Sequence, residues 1–228
     1  MMLLTSIGKQ YHVKIRTTRV EAFSDGVIAI VITIMVLEFK LPDFKDDDSS
    51  WRINRYLLNN LPYFVAYIFS FLMIGVLWVN HHHMFHLLER LDEKMIWKNL
   101  FFLFWLSLIP ITTAIIGASP QVAESVALYG FVMLMVTLAY TLMRSYSIKH
   151  NLVHHEGERK LDQQIKKTTY RGKRKSIIAL ISYLLSVPLA FVNIYFAYAC
   201  FLLSPIVFFI PEGVDDEKLA EKIIEKNQ

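Results

Sequence analysis

RVEAFSDGVIAIVITIMVLEFKLP, residues 19–42, is the stretch whose reading decides the fold. It holds an apolar run of about twenty residues, long enough to cross a bilayer as a helix. Ser24 and Asp25 nevertheless lie within its first two turns. A carboxylate at that depth is costly unless paired, so Asp25 marks a functional or structural polar site. Placed at about 100° per residue around a helix, Phe23, Gly26, Ile30, Thr33, Ile34 and Leu37 share one broad stripe, and Ser24 and Asp25 fall on the opposite side. One face is smooth and aliphatic with a single hydroxyl. The other is polar and needs partners.

The rest of the chain agrees with a membrane setting. Of its 228 residues 54% are hydrophobic, and the mean hydropathy of +0.38 is too high for an ordinary soluble domain. The net charge of +4 is no nucleic-acid signature, because the basic residues lie between apolar runs instead of on a soluble domain. Cys200, the single cysteine, sits inside an apolar run, so an internal disulfide is excluded and a small buried side chain is expected. The N-terminus, MMLLTSIGKQYHVKIRTTR, has too short an apolar start to resemble a signal peptide, and residues 1–18 read as a basic arm.

Further apolar runs occur at 61–79, 96–116, 122–143, 177–192 and 194–210, giving six candidate spans within 19–210. Asn60 ahead of Pro62 and Ser119 ahead of Pro120 mark expected helix starts. A single helix over 177–210 would be roughly 50 Å long, well beyond a hydrocarbon core of about 30 Å, so a tight turn is expected near 188–193. With six spans both termini share a side, and 20 of the 24 Lys and Arg residues fall on that side. By the positive-inside rule the termini are cytoplasmic, including the charged tail 211–228. That tail, with Leu219, Ile223 and Ile224, reads as a short amphipathic helix or a frayed end.

Orientation assigns a depth to each polar residue. Ser24 and Asp25 lie in the cytoplasmic half of the first span; the second returns Trp78, Asn80, His81, His82 and His83 to that level; the third leaves with Lys98 and Asn99 in its first turn. A network centred on Asp25 is expected, with a histidine from His81 to His83 and Asn99 or Trp78 as donors. Two readings stand: a proton or ion site, and a structural clamp of the first span against the next two. The clamp is favoured because Asp25 points away from the smooth face. The run NHHHMFH, 80–86, does not form a metal site by itself. Adjacent histidines diverge by about 100°, and although His82 and His86 have the i, i+4 spacing, no matching carboxylate precedes Glu89.

The basic connection from Arg144 to Lys175 reads as a topology signal attracted to anionic lipid headgroups. At the other end of the first span stand Glu38, Asp43, Asp46, Asp47 and Asp48, an acidic outer mouth that would concentrate cations. Packing or lipid contact is the ordinary use of an aliphatic helix face. Symmetric copies of the smooth face around an axis would instead make a constriction at Ile30, Ile34 and Leu37 with a ring of Thr33 hydroxyls, able to gate by dewetting.

Arg19, Phe23, Ser24 and Asp25 form an R-x-x-x-F-S-D pattern. This pattern at the start of the first helix resembles the signature of bacterial members of the transmembrane protein 175 family of potassium channels. The match continues through Gly26 and Thr33 to Glu38 and into the Trp78 to Phe85 segment; later spans agree only in number and placement. The resemblance implies an all-α membrane protein of six transmembrane helices, assembled as a homotetramer with a central pore lined by the first helix. It implies passive potassium-selective or weakly selective cation conduction through an hourglass pore in a bacterial cytoplasmic membrane, without a TVGYG-type filter. The family's aliphatic narrowing carries over to Ile30, Ile34 and Leu37, its selectivity-related hydroxyl to Thr33, and its helix-clamping role to the signature residues. Arg19 then either faces the inner vestibule or bends back to Asp25. No cofactor, enzyme activity or nucleic-acid partner is implied; self-association, lipids and permeant potassium ions are. Two competitors remain: a proton-coupled transporter relaying through Asp25 and His81 to His83, and a metal-dependent membrane enzyme built on the histidine run.

Overall fold

The structure is a computed structural model that describes residues 17–39, 50–150, 152 and 159–209. Residues 1–16 of the basic arm, Asp43, Asp46, Asp47, Asp48 and the tail 211–228 lie outside the described residues. Regular structure among the described residues is entirely helical. Helix α1 (Thr17–Ile34) tightens into a 3₁₀ turn, Met35–Glu38, and is followed by α2 (Ser50–Asn59) and α3 (Leu61–His86). Then come α4 (Glu93–Leu106), α5 (Ile109–Ala118), α6 (Ala123–Lys149), α7 (Arg159–Val192) and α8 (Ile194–Phe209).

Local chemistry explains most boundaries. Pro62 sits in the first turn of α3, where its missing N–H costs nothing. Asn60 does not cap α3; its Nδ2 donates backward to the Tyr56 carbonyl at 2.8 Å and closes α2. Asp92 caps α4 by accepting from the Met95 amide at 2.8 Å. The run expected as one helix over 96–116 is divided into α4 and α5, because Pro110 has no N–H to give the Leu106 carbonyl four residues back. Ser119 and Pro120 lie in a turn closed by the Val122 amide on the Ser119 carbonyl, so α6 starts at Ala123, later than the sequence suggested.

The last reversal is narrower than expected. Pro188 is inside α7, and the break falls at Asn193, whose Oδ1 accepts from the Tyr195 amide at 2.9 Å. Helices α7 and α8 then run back along each other, with Ser182 Oγ donating to the Cys200 carbonyl at 2.5 Å. Much of the basic connection is itself helical, since α7 begins at Arg159; Arg144 belongs to α6, is buried, and packs against Gly172.

Among the described residues, five segments are long and apolar enough to cross a membrane: Thr17–Glu38, Leu61–His86, Glu93–Ala118, Ala123–Lys149 and Gly172–Val192. The apolar helix Ile194–Val207 is shorter. The chain is therefore built as a multi-pass membrane protein. Helix α6 is the most enclosed, burying Tyr129, Val132, Met133, Val136, Tyr140 and Met143 against α4, α5, α7 and α8. Helix α1 stands at the side of this bundle, touching α3, α4 and α5.

Helices α7 and α8 both approach α6 closely at Gly130. A Cβ there would stand 2.6 Å from Ser186 Oγ and 3.2 Å from the Phe201 ring. We expect Gly130→Val to separate α6 from α7 and α8 and to cost about 1–3 kcal/mol. Thermal unfolding of the purified chain in detergent measures this, with Gly75→Ala, where nothing lies within 4 Å of the added Cβ, as the reference.

Candidate functional site

Burial divides α1 into two faces. Ser24, Ile28, Val31 and Met35 are buried at helical spacing against the neighbouring spans. Phe23, Ile30, Ile34 and Leu37 are 55%, 58%, 42% and 77% exposed, and Arg19, Gly26, Thr33 and Glu38 open on the same side of the subunit. The Thr33 hydroxyl donates to the carbonyls of Ala29 and Ile30, both at 3.0 Å, so its proton is held within the helix and its oxygen is what the exposed face presents.

On the buried face the polar groups are tied together. Ser24 Oγ donates to the Val20 carbonyl at 2.8 Å and accepts from Asn99 Nδ2 at 2.8 Å. Asn99 Oδ1 accepts from His81 Nε2 at 2.9 Å, which places that ring's proton on Nε2. The His81 ring is stacked between Phe85, at 4.3 Å, and Phe102, at 5.5 Å. All three polar residues are buried, and they come from α1, α3 and α4. Separately, Trp78 Nε1 donates to Asp25 Oδ1 at 2.9 Å in a more exposed position.

The network expected around Asp25 is thus two contacts with different centres. Asn99 joins Ser24 to His81, and Asp25 is held by Trp78. The reason is rotation: Ser24 points into the bundle, whereas Asp25, 100° further round, is only half-buried and reaches the rim of α3. His82 stacks on Trp78 at 5.6 Å, and His83 lies beside His82 with ring centroids 6.2 Å apart.

Two groupings were not read from the sequence. Ser70, Thr113 and Tyr129 join α3, α5 and α6 through a buried hydroxyl cluster, with Thr113 donating to Ser70 at 2.7 Å and Tyr129 within 2.9 Å of Ser70. No spacing in the chain signals that meeting. Glu21 of α1 lies against His82 and His86 of α3, supplying the carboxylate that the histidine run lacks locally. The available signal was Glu21 one helical turn before Asp25, on the flank that meets α3.

An all-helical, multi-pass membrane protein whose first helix is clamped on one face and bare on the other is the class defined by this arrangement. Residues 19–110, from α1 to the start of α5, match the family model described as endosomal/lysosomal potassium channel TMEM175. A potassium channel of Chryseobacterium sp. (strain P1-3) is 40% identical over 203 residues, covering 89% of this chain and 97% of that protein. The crystal structure of a lysosomal potassium-selective channel TMEM175 homolog from Chamaesiphon minutus superposes with a TM-score of 0.68 at 26% identity, over 84% of this chain and 95% of that one. An endosomal/lysosomal proton channel TMEM175 of Bos taurus is 38% identical over 89 residues, 37% of this chain and 19% of that protein. The chain belongs to the TMEM175 family, a family of channels and not of enzymes.

Removing the shared amide tests the buried contact. Asn99→Leu keeps the approximate volume but strands Ser24 and His81 in an apolar layer, and we expect a loss of about 1–3 kcal/mol. Trp78→Phe, which leaves only a half-buried carboxylate without its donor, is expected to cost less than half as much. Thermal unfolding in detergent compares the two.

Proposed function

We propose that this chain is a subunit of a potassium channel that conducts passively across a bacterial cytoplasmic membrane. The observation that carries the proposal is the division of α1, in a chain of this family, into a buried face anchored through Ser24 and an exposed face of Ile30, Thr33, Ile34 and Leu37. Four copies around an axis would turn these exposed faces inward and make an hourglass pore, with its neck at Ile30, Ile34 and Leu37. Water leaves an aliphatic neck of this kind readily, so the neck gates by dewetting or dilation. The Thr33 oxygens form the one polar ring within it, suited to a partly dehydrated cation.

Self-association is supported by the small residues Ala22, Gly26, Ala29 and Thr33, all exposed on α1, which allow close approach of a neighbouring helix. In this reading α8 is the sixth crossing, although its 16 residues reach only about 24 Å. Both termini are cytoplasmic, Glu38 and the aspartates at 43 and 46–48 gather cations at the outer mouth, and Arg19 faces the inner vestibule. The clamp at Ser24, Asn99 and His81, with Asp25 on Trp78, holds the lining helix in place while ions pass. Lipids enclose the assembly and potassium is the permeant ion.

Planar-bilayer recording of the purified protein under opposed potassium and sodium gradients, with the parent and Ile30→Ala, tests the proposal. Reversal near the potassium potential and a larger unitary conductance in Ile30→Ala are expected. Reversal that follows an imposed pH gradient would make protons the permeant ion. Silence in both proteins, with substrate accumulation against its gradient in vesicles, would replace the channel by a proton-coupled transporter working through Asp25.

A further inference from the structure

We propose that Glu21, His82 and His86 form a binding site for a divalent transition-metal ion of the zinc class, bridging α1 and α3. Glu21 Oε1 lies 3.1 Å from His82 Nδ1 and 3.7 Å from His86 Nε2, and the two histidines approach to 3.0 Å through their Nε2 atoms. One ligand atom from each residue can be chosen so that all lie within 4.8 Å of one another. An ion with bonds of about 2.0–2.2 Å in tetrahedral geometry needs ligand atoms roughly 3.3 Å apart. Glu21 faces His82 Nδ1 and His86 faces His82 Nε2, and since only one nitrogen of the His82 ring serves a given ion, the three ligand atoms close on it from within 4.8 Å by a small side-chain adjustment.

Two further observations point to a ligand. Glu21 Oε1 and His82 Nδ1 are both shielded from solvent, and neither has a hydrogen-bond partner. Their 3.1 Å approach lacks hydrogen-bond geometry, so the proton-shared pair that would satisfy both is not made. A metal ion takes a lone pair from each without needing a proton between them. The supports are also in place: His82 and His86 occupy i and i+4 of α3, the spacing that lets two imidazoles share an ion. The Trp78 ring, stacked on His82 and held through its N–H by Asp25, limits the turning of that imidazole.

Donor chemistry selects the ion. Two imidazole nitrogens and one carboxylate oxygen suit Zn²⁺, Co²⁺ or Ni²⁺, whereas Ca²⁺ and Mg²⁺ prefer sets of oxygen ligands. The His86 side chain is 37% exposed, which leaves an entry path and room for water to complete the coordination. A bound ion would tie the end of α1 that carries Glu21 to the C-terminal turns of α3. The site does not depend on the conduction reading, and its test reads metal directly.

The test is Co²⁺ titration of the full chain, free of any affinity tag and stripped with chelator in detergent, followed by the visible d–d absorption of a nitrogen-coordinated ion and displaced by Zn²⁺. One Co²⁺ per chain is expected, with affinity at least about tenfold weaker in Glu21→Gln, His82→Gln and His86→Ala. A His154→Ala, His155→Ala double variant should bind as the parent does. Zn²⁺ should also raise the unfolding temperature of the parent but not of His86→Ala, a partly exposed position where folding is least at risk. No stoichiometric Co²⁺ binding by the parent, equal binding by parent and His86→Ala, or loss of binding in the His154, His155 variant would each overturn the site.

Discussion

The carboxamide of Asn99 is the group on which the placement of α1 depends. Buried among Phe102, Phe85 and the aliphatic core, it has one donor directed to Ser24 and its acceptor directed to His81. Ser24 spends its own proton on the Val20 carbonyl, leaving only oxygen lone pairs for a partner. An amide donor from another helix is what those lone pairs can accept. In an apolar layer, each of these groups costs several times more unmade than it contributes made. The contact therefore determines the rotation of α1 about its axis. Once Ser24 is inside, Ile28, Val31 and Met35 follow it inside at helical spacing, and Phe23, Ile30, Ile34 and Leu37 must face away.

Exposure of an aliphatic face carries little penalty beside lipid, so bareness alone does not distinguish a pore wall from a lipid contact. The contrast with the rest of the bundle is more telling. Helix α6 is enclosed by its own chain, with Gly130 admitting Ser186 and Phe201, and the α7–α8 hairpin covers its far side. Helix α1 has one line of contact with α3, α4 and α5 and no cover elsewhere among the described residues. With α3, it is the least enclosed of the candidate spans.

Polar contacts between α1 and α3 are concentrated toward one end of both helices. Trp78 connects two of them, donating to Asp25 with its indole N–H and stacking on His82 with its ring. The buried amide contact engages Asn99 on both sides, through Ser24 and His81, and leaves only His81 Nδ1 without a partner; the Glu21, His82, His86 cluster is more open, with Glu21 Oε1 and His82 Nδ1 both unpartnered. A buried contact paired on both sides of its central amide holds position, and a more open, under-satisfied one responds to what reaches it. Both join α1 to α3, the first by way of Asn99 on α4, so any ligand of the second acts on an element already positioned by the first.

The residues alone determined what belongs to a single helix. The length of the apolar runs, the 3.6-residue period that set Ile30, Thr33, Ile34 and Leu37 opposite Ser24, and the common depth of Ser24, Trp78, His81 and Asn99 are all local or additive properties. The tertiary structure decided which of those groups meet. Asp25 looked like the centre because it carries the charge, yet Asn99 occupies the centre, since the mutual rotation of α1, α3 and α4 is a property of their packing together. The same holds for Glu21 beside His82 and His86, and for Ser70 with Thr113 and Tyr129. Their partners lie on other helices, and no period within one segment encodes the angle between two. Pro110 and Asn193 were visible in the chain, but how far each break extends was decided by the backbone groups left to be satisfied around it.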